Sequence, residues 1–123
     1  MKPNPTAMTM LYDFYGETLS EKQKDFFDLY YNGDLSLGEI AENSGITRQG
    51  VRDVILRATE TLERMEEKLG LVALHGVLQK QVKEIRQKAL DIEGTNAKGY
   101  GNPSIREDAQ KIVSLTEELL AKI

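Results

Sequence analysis

Apolar residues recur every three or four positions along most of the chain, which is the spacing that gives an α-helix one buried face. The first such segment presents Met8, Leu11, Tyr12 and Tyr15 on one face between Asn4 and Gly16. A serine that precedes Glu or Gln by three positions is a typical helix start. Such pairs are Ser20 with Gln23, Ser36 with Glu39 and Ser104 with Glu107. The pattern therefore predicts an all-α protein.

Residues 35–57 place small, apolar and glycine residues where two short helices that cross at a tight turn need them. Ala41 is small enough for close crossing, and Gly45 follows four residues later, where the turn favours a residue that tolerates positive φ. Thr47 is the predicted N-cap of the second helix. We expect a helix-turn-helix motif whose second helix would enter a major groove. Its candidate nucleic-acid-binding residues are Thr47, Arg48, Gln49, Arg52, Asp53 and Arg57.

The carboxyl-terminal half predicts two further helices. No glycine or proline interrupts residues 51–69, so the second helix of the motif should run on to Leu69, with Gly70 as its stop. A linker is expected from Gly94 to Pro103, followed by a last helix that begins at Ser104. We therefore expect a helix-turn-helix domain at 1–70 and a helical extension at 71–123.

The extension opens with an apolar stripe in which Leu71, Leu78, Ile85 and Ile92 are spaced by seven. This stripe has two interpretations. Polar Gln81 and Lys88 at the paired positions of a coiled coil favour packing against the chain's own helices. The alternative is a homodimer. The candidate partner-interface residues are Leu78, Ile85 and Phe14, which lies off the stripe of the first helix.

Acidic residues outnumber basic ones by 20 to 16 among the 123 residues, which gives a net charge of −4. Residues 1–70 carry a net charge of −5 and residues 71–123 a net charge of +1. This balance argues against binding nucleic acid by bulk electrostatic attraction. Within Thr47–Arg57, however, three arginines are accompanied by one acidic residue, Asp53, and this thin basic ridge is what phosphate contact would need.

Few residues offer catalytic or metal-binding chemistry. The only histidine, His75, lies at the edge of an apolar stripe, and the chain has no Cys. The acidic run between 60 and 67 has the spacing of a solvated helix face, and the glycines around Lys98 lack the order of a phosphate-binding loop. We therefore expect no enzymatic activity, no metal site and no cofactor.

Composition also bears on cellular location. A chain without Cys suits a reducing cytosol. No apolar run approaches the roughly 18 residues of a membrane span, and the first ten residues lack the apolar core of a signal peptide. We expect a cytoplasmic protein with no membrane span.

Four blocks of the sequence resemble one known family. They are LYDFY at Leu11–Tyr15, DLYY at Asp28–Tyr31, DLSLGEIAE at Asp34–Glu42 and TRQGVRD at Thr47–Asp53. Together they look like the YlxM-like family of small bacterial helix-turn-helix proteins, and the match covers roughly residues 10–71. More distantly, residues 19–58 resemble the promoter-reading region 4 of sigma factors. The resemblance implies an all-α fold with a sigma region 4-like helix-turn-helix domain, to which the predicted C-terminal helical hairpin is an extension.

The resemblance implies a regulatory role in the signal recognition particle pathway, because genes of this family neighbour those of the particle's GTPases. The partner would then be a protein or RNA component of the particle. The alternative is a transcriptional regulator that reads promoter DNA with Arg48, Gln49 and Arg52. The sequence departs from its relatives at Gly50 and Arg52, where alanine and an aromatic residue are expected. Glycine inside a helix costs roughly 0.5–1 kcal/mol relative to alanine.

Overall fold

A computed structural model describes residues 4–123 and consists of α-helices joined by short turns. The helices are α1 (Pro5–Tyr15), α2 (Glu21–Tyr31), α3 (Leu37–Ser44), α4 (Arg48–Leu69), α5 (Leu71–Lys98) and α6 (Pro103–Lys122). A short 3-10 turn, Gly16–Thr18, follows α1, and residues 4–123 contain no strand. The prediction of an all-α fold is confirmed. None of the helices described is both long and apolar enough to cross a membrane.

Side-chain caps fix where the helices begin. The Ser20 hydroxyl accepts a hydrogen bond from the Gln23 amide at 3.2 Å, and the Gln23 side chain accepts one from the Ser20 amide at 3.0 Å. Ser36 and Glu39 form the same reciprocal pair, with both distances at 3.1 Å. Each pair satisfies two of the backbone donors that the first turn of a helix leaves without an intrahelical partner. These two predicted helix starts are confirmed.

The chain divides into two compact units, with the boundary between Val72 and Ala73. In the first unit, α4 contacts α1, α2 and α3 and is the central element. The Phe27 and Leu62 side chains have no exposed surface, and the Phe27 ring stacks on Tyr12 with centroids 4.9 Å apart. They belong to a core cluster whose buried members are Met8, Leu11, Tyr15, Leu19, Phe27, Ala58 and Leu62. This cluster holds α1 and α2 against α4.

Gly70 ends α4 in the left-handed conformation, with φ 63°, as the sequence predicts. The Tyr15 hydroxyl donates to a Glu66 carboxylate oxygen at 2.6 Å and accepts from the Leu71 amide at 3.0 Å. The same Glu66 oxygen accepts from the Val72 amide at 3.0 Å. The Tyr15 and Glu66 side chains therefore satisfy the amides of Leu71 and Val72, which belong to the same unit as these side chains.

The second unit is a hairpin of α5 and α6. Its buried side chains are short or branched, and they are Val82, Ala89, Ala109 and Thr116. An ion pair joins the two helices, in which the Arg86 guanidinium donates to the Glu117 carboxylate at 3.1 Å.

The expected linker from Gly94 to Pro103 is wrong in its extent, because α5 continues through Gly94 to Lys98. Only residues 99–102 form the connection. The Asn96 side chain closes this turn by donating to the Asn102 carbonyl at 2.8 Å and accepting from the Asn102 amide at 3.0 Å. Gly101 adopts φ 64°, a left-handed conformation that suits glycine. Gly94 therefore lies inside α5, and the turn that ends this helix is at residues 99–102.

The predicted cap of the last helix is also wrong by two residues. Asn102, not Ser104, is the N-cap of α6, and its side chain accepts from the Ser104 and Ile105 amides at 2.9 and 3.4 Å. Pro103 occupies the first helical position, where its fixed φ suits a helix and its missing N–H costs nothing. Proline therefore sets the start of α6 ahead of the serine and glutamate pair.

Candidate nucleic-acid interface

The helix-turn-helix motif is formed by α3 and the first half of α4. Gly45 ends α3 with φ 74°, and its amide donates to the Ala41 carbonyl at 3.0 Å. The Thr47 hydroxyl then caps α4 by accepting from the Gly50 amide at 3.0 Å. The left-handed residue redirects the chain within three positions, which is what a tight crossing of two helices requires. The predicted turn and N-cap are confirmed.

A second core cluster fixes the orientation of α4. Ile40 of α3 and Val51 of α4 are almost fully buried, at 1% and 0% exposure, and they pack with Phe26 of α2 and Ile55. These side chains occupy one face of α4, so the opposite face must point to solvent. The buried side chains of α4 therefore determine which of its residues are exposed.

All six candidate residues on α4 and its cap are exposed. With about 100° between successive residues, Arg48 and Arg52 lie about 40° apart, on one flank of the helix. Arg57 lies about 180° from Arg48 and roughly 13 Å further along the axis. The structure therefore brings Arg48 and Arg52 together and places Arg57 apart from them, with Asp53 between the two flanks.

Some polar side chains on the exposed face of α4 form a hydrogen bond with one another, whereas its arginines form no ion pair with any residue that the structure describes. The Gln49 amide donates to the Asp53 carboxylate at 3.0 Å, one helical turn away. In contrast, none of the ion pairs found within residues 4–123 includes Arg48, Arg52 or Arg57. An arginine without an acidic neighbour retains its full capacity to donate to a phosphate or a carboxylate.

The unusual glycine of this helix lies beside its cap. A methyl group at Gly50 would come 3.2 Å from the Thr47 hydroxyl oxygen and 3.6 Å from the Ile46 side chain. Both contacts are with side chains, and neither is with the backbone of another helix. Glycine at this position therefore relieves crowding around the cap, and no close helix crossing explains it.

Arg52 also borders a groove of about 290 Å³ between α2, α3 and α4. The other residues that line it are Tyr30, Tyr31, Leu37, Ile55, Leu56 and Thr59. Burial raises the pKa of Tyr31 above its ordinary value of 10.0. Leu56 is 44% exposed beside Arg52, and the sequence analysis missed it. The available signal was an apolar residue on the otherwise polar face of an amphipathic helix.

The three candidate partner residues have different surroundings. Phe14 is half-buried and packs against the first core cluster. Leu78 and Ile85 on α5 are 38% and 52% exposed. Within residues 4–123, no group of three His, Asp or Glu side chains is placed to hold a metal ion.

Comparison with known proteins identifies the family. A family model described as "Putative helix-turn-helix protein, YlxM / p13 like" matches residues 3–98. A UPF0122 protein of Caldanaerobacter subterraneus subsp. tengcongensis is 51% identical over 80 residues, which cover 65% of this chain and 68% of the relative. Similar proteins of Thermoanaerobacter sp. and Bacillus cereus are 43% and 37% identical, and the matches cover 91% and 97% of this chain and 92% and 99% of those relatives. With its helix-turn-helix formed by α3 and α4, the chain belongs to the YlxM and p13-like family of helix-turn-helix proteins.

Proposed function

We propose that this chain is a non-catalytic regulatory protein of the signal recognition particle pathway, and that it binds a component of the particle through α4. The observation that carries the proposal is the set of arginines on this helix. Arg48, Arg52 and Arg57 are exposed, and no described residue forms an ion pair with them. In an otherwise acidic part of the chain, these cations are available to a phosphate or carboxylate of a partner.

The distribution of charge favours an RNA or protein component over duplex DNA. Residues 1–70 carry a net charge of −5, and Asp53 separates the two arginine flanks of α4. A protein that binds duplex DNA through its phosphates neutralises several of them at once. Folded RNA offers unpaired bases and phosphates at irregular positions, which separate cations can contact singly. The resemblance to the YlxM-like family supports the choice of pathway.

A DNA-binding transcriptional regulator is the second candidate. Arg48, Gln49 and Arg52 lie in the first two turns of the second helix of the motif, where such proteins contact base edges in the major groove. A homodimer would present two such helices to neighbouring half-sites. Selection of bound fragments from genomic DNA tests this candidate. A shared enriched sequence supports it, whereas recovery of unrelated fragments removes the case for specific readout.

Fluorescence anisotropy tests the main proposal directly. The labelled ligands are signal recognition particle RNA, the reconstituted particle and random-sequence duplex DNA, each titrated at two salt concentrations. The test variant is Arg48→Ala/Arg52→Ala. The matched control is Arg64→Ala/Lys68→Ala, which removes two positive charges from exposed positions further along the same helix.

Each outcome separates the candidates. Particle or RNA binding that is weakened by the test variant and not by the control supports the proposed role of α4. Loss of two phosphate contacts on RNA should also reduce the slope of log affinity against log salt by roughly 1.4. Particle binding that survives the test variant keeps the pathway and assigns the contact to another surface. If no component binds at micromolar concentration, the pathway proposal fails, and duplex binding lost in the test variant then favours the DNA reader.

A further inference from the structure

We propose that the α5–α6 hairpin forms a homodimer by pairing one apolar face with the same face of a second copy. The hairpin buries Val82, Ala89, Ala109 and Thr116 between its two helices. Six of its larger apolar side chains lie elsewhere, at 38% to 52% exposure and in steps of seven along each helix. These residues are Leu78, Ile85 and Ile92 on α5 and Ile105, Ile112 and Leu119 on α6.

The two stripes meet on one side of the hairpin. Ile85 and Ile92 of α5 line an open groove together with Ile112 of α6. An adjoining groove is lined by Ile92 and Ile105, and Lys88 borders both. The four isoleucines therefore belong to one continuous apolar face, which we call the isoleucine face.

The other side of the hairpin is polar. Arg86 and Glu117 pair there at 3.1 Å. Gln87 and Gln110, at neighbouring exposed positions, lie away from the isoleucine face by helical geometry. An amphipathic helix buries its apolar stripe against a neighbouring element. Within a hairpin, each helix has only the other helix as its neighbour. A single hairpin therefore leaves the isoleucine face without a covering layer.

The area of this face matches what a dimer needs. The four isoleucines and the two leucines that continue their stripes, Leu78 and Leu119, are each about half exposed. Together they amount to roughly 400–500 Å² per copy, the size of the largest apolar patch on a typical monomer. Two copies that meet face to face would cover roughly 1,000 Å² of apolar surface. They would also cover the polar atoms at the rim of the face, which add to this area. That total reaches the lower range of specific protein interfaces.

The spacing and the charges favour a second copy as the occupant. Apolar residues in steps of seven suit nearly parallel helices, and two hairpins joined in this way form a four-helix bundle. Glu84 and Asp91 lie about one turn on either side of Lys88 along the grooves. If the α5 helices of the two copies run antiparallel and are offset by one turn, each Lys88 lies opposite an acidic residue of the other copy. Charges of both signs at the rim are unlike the basic border of a membrane-binding helix.

Sedimentation equilibrium of the full chain at about 1–100 μM tests the proposal. The expected mass is twice 13.9 kDa. The variant Ile85→Lys/Ile112→Lys should raise the dissociation constant at least about 100-fold, because two lysines per copy would be buried in the interface. The control Gln87→Lys/Gln110→Lys adds the same charge to the polar side and should leave the dimer intact. A wild-type protein that stays monomeric at 100 μM, or a control that dissociates equally, would overturn the proposal.

A second measurement covers the case in which the lysine variant unfolds, which circular dichroism would reveal. The chain has no Cys, so single cysteines can carry spin labels without background. A label at Lys88→Cys should show dipolar broadening between copies, whereas a label at Gln110→Cys should show much less. Equal signals at the two positions would contradict the isoleucine face. The dimer does not depend on nucleic-acid binding by α4, so its failure would leave the proposed function standing.

Discussion

Replacement of Gly94 by alanine is expected to stabilise the second unit, because Gly94 lies within α5. Alanine is favoured over glycine in a helix interior by roughly 0.5–1 kcal/mol. A methyl group at Gly94 would meet no atom within 4 Å, so no steric cost offsets this gain. Since α5 ends at Lys98, fraying of its last turn places the expected gain near the lower limit, at about 0.5 kcal/mol.

Two further alanine variants provide controls. Gly76 also lies within α5 with open space around it, and Gly76→Ala should stabilise by roughly 0.5–1 kcal/mol. Gly101 has φ 64°, and Gly101→Ala should destabilise by roughly 1–2 kcal/mol. Urea unfolding measures the free energies, and amide hydrogen exchange reports on residues 94–98. A gain for Gly76→Ala with none for Gly94→Ala, and unprotected amides at 94–98, would refute the helical assignment of this segment.

Three more predictions concern the first unit. Leu62→Ala should lower the free energy of unfolding by about 3–5 kcal/mol, because Leu62 has no exposed surface, and a loss below about 1 kcal/mol in urea titration would contradict its core position. Tyr15→Phe should speed hydrogen exchange of the Leu71 amide, which loses its acceptor, and unchanged exchange by NMR would show that this bond is dispensable. Burial raises the pKa values of Tyr12 and Tyr31, so the folded state favours the protonated phenols. The free energy of unfolding should therefore hold below pH ~10 and fall as pH rises through the folded pKa values. A flat profile of unfolding free energy from pH ~8 to ~11 would count against this.

Most helix starts and stops that depend on near neighbours followed from the sequence; the start of α6 did not, because the Ser104 and Glu107 pair has the same form as a cap and Asn102 was overlooked. The capping boxes at Ser20 and Ser36 and the left-handed glycine at Gly45 involve residues within four positions of each other. Their hydrogen bonds are therefore encoded in local sequence. The end of α5 was misread because glycine composition suggested a linker. The turn is closed by Asn96 and Asn102, whose reciprocal pairing across six residues no composition reveals.

The candidate sites show the same division. The sequence pattern selected Arg48, Arg52 and Arg57 as exposed residues of one helix, and each of them is exposed. It treated them as one ridge, whereas the buried positions of α4 leave Arg57 on a different flank from the other two. Likewise, the sequence selected Leu78 and Ile85 and missed Ile112 on α6. The spacing of seven was present there too, but nothing in the sequence states that the two stripes face the same side.

By itself, the sequence determined the all-α fold, the helix-turn-helix and its exposed cations, because helical periodicity and caps are properties of residues close together in the chain. The tertiary structure alone decided which side chains from separate helices share a surface. That choice depends on how α4 is rotated by its core contacts, and on which sides of α5 and α6 are used to pack the hairpin. Such rotations arise from contacts between residues distant in sequence, so only the packed structure contains them.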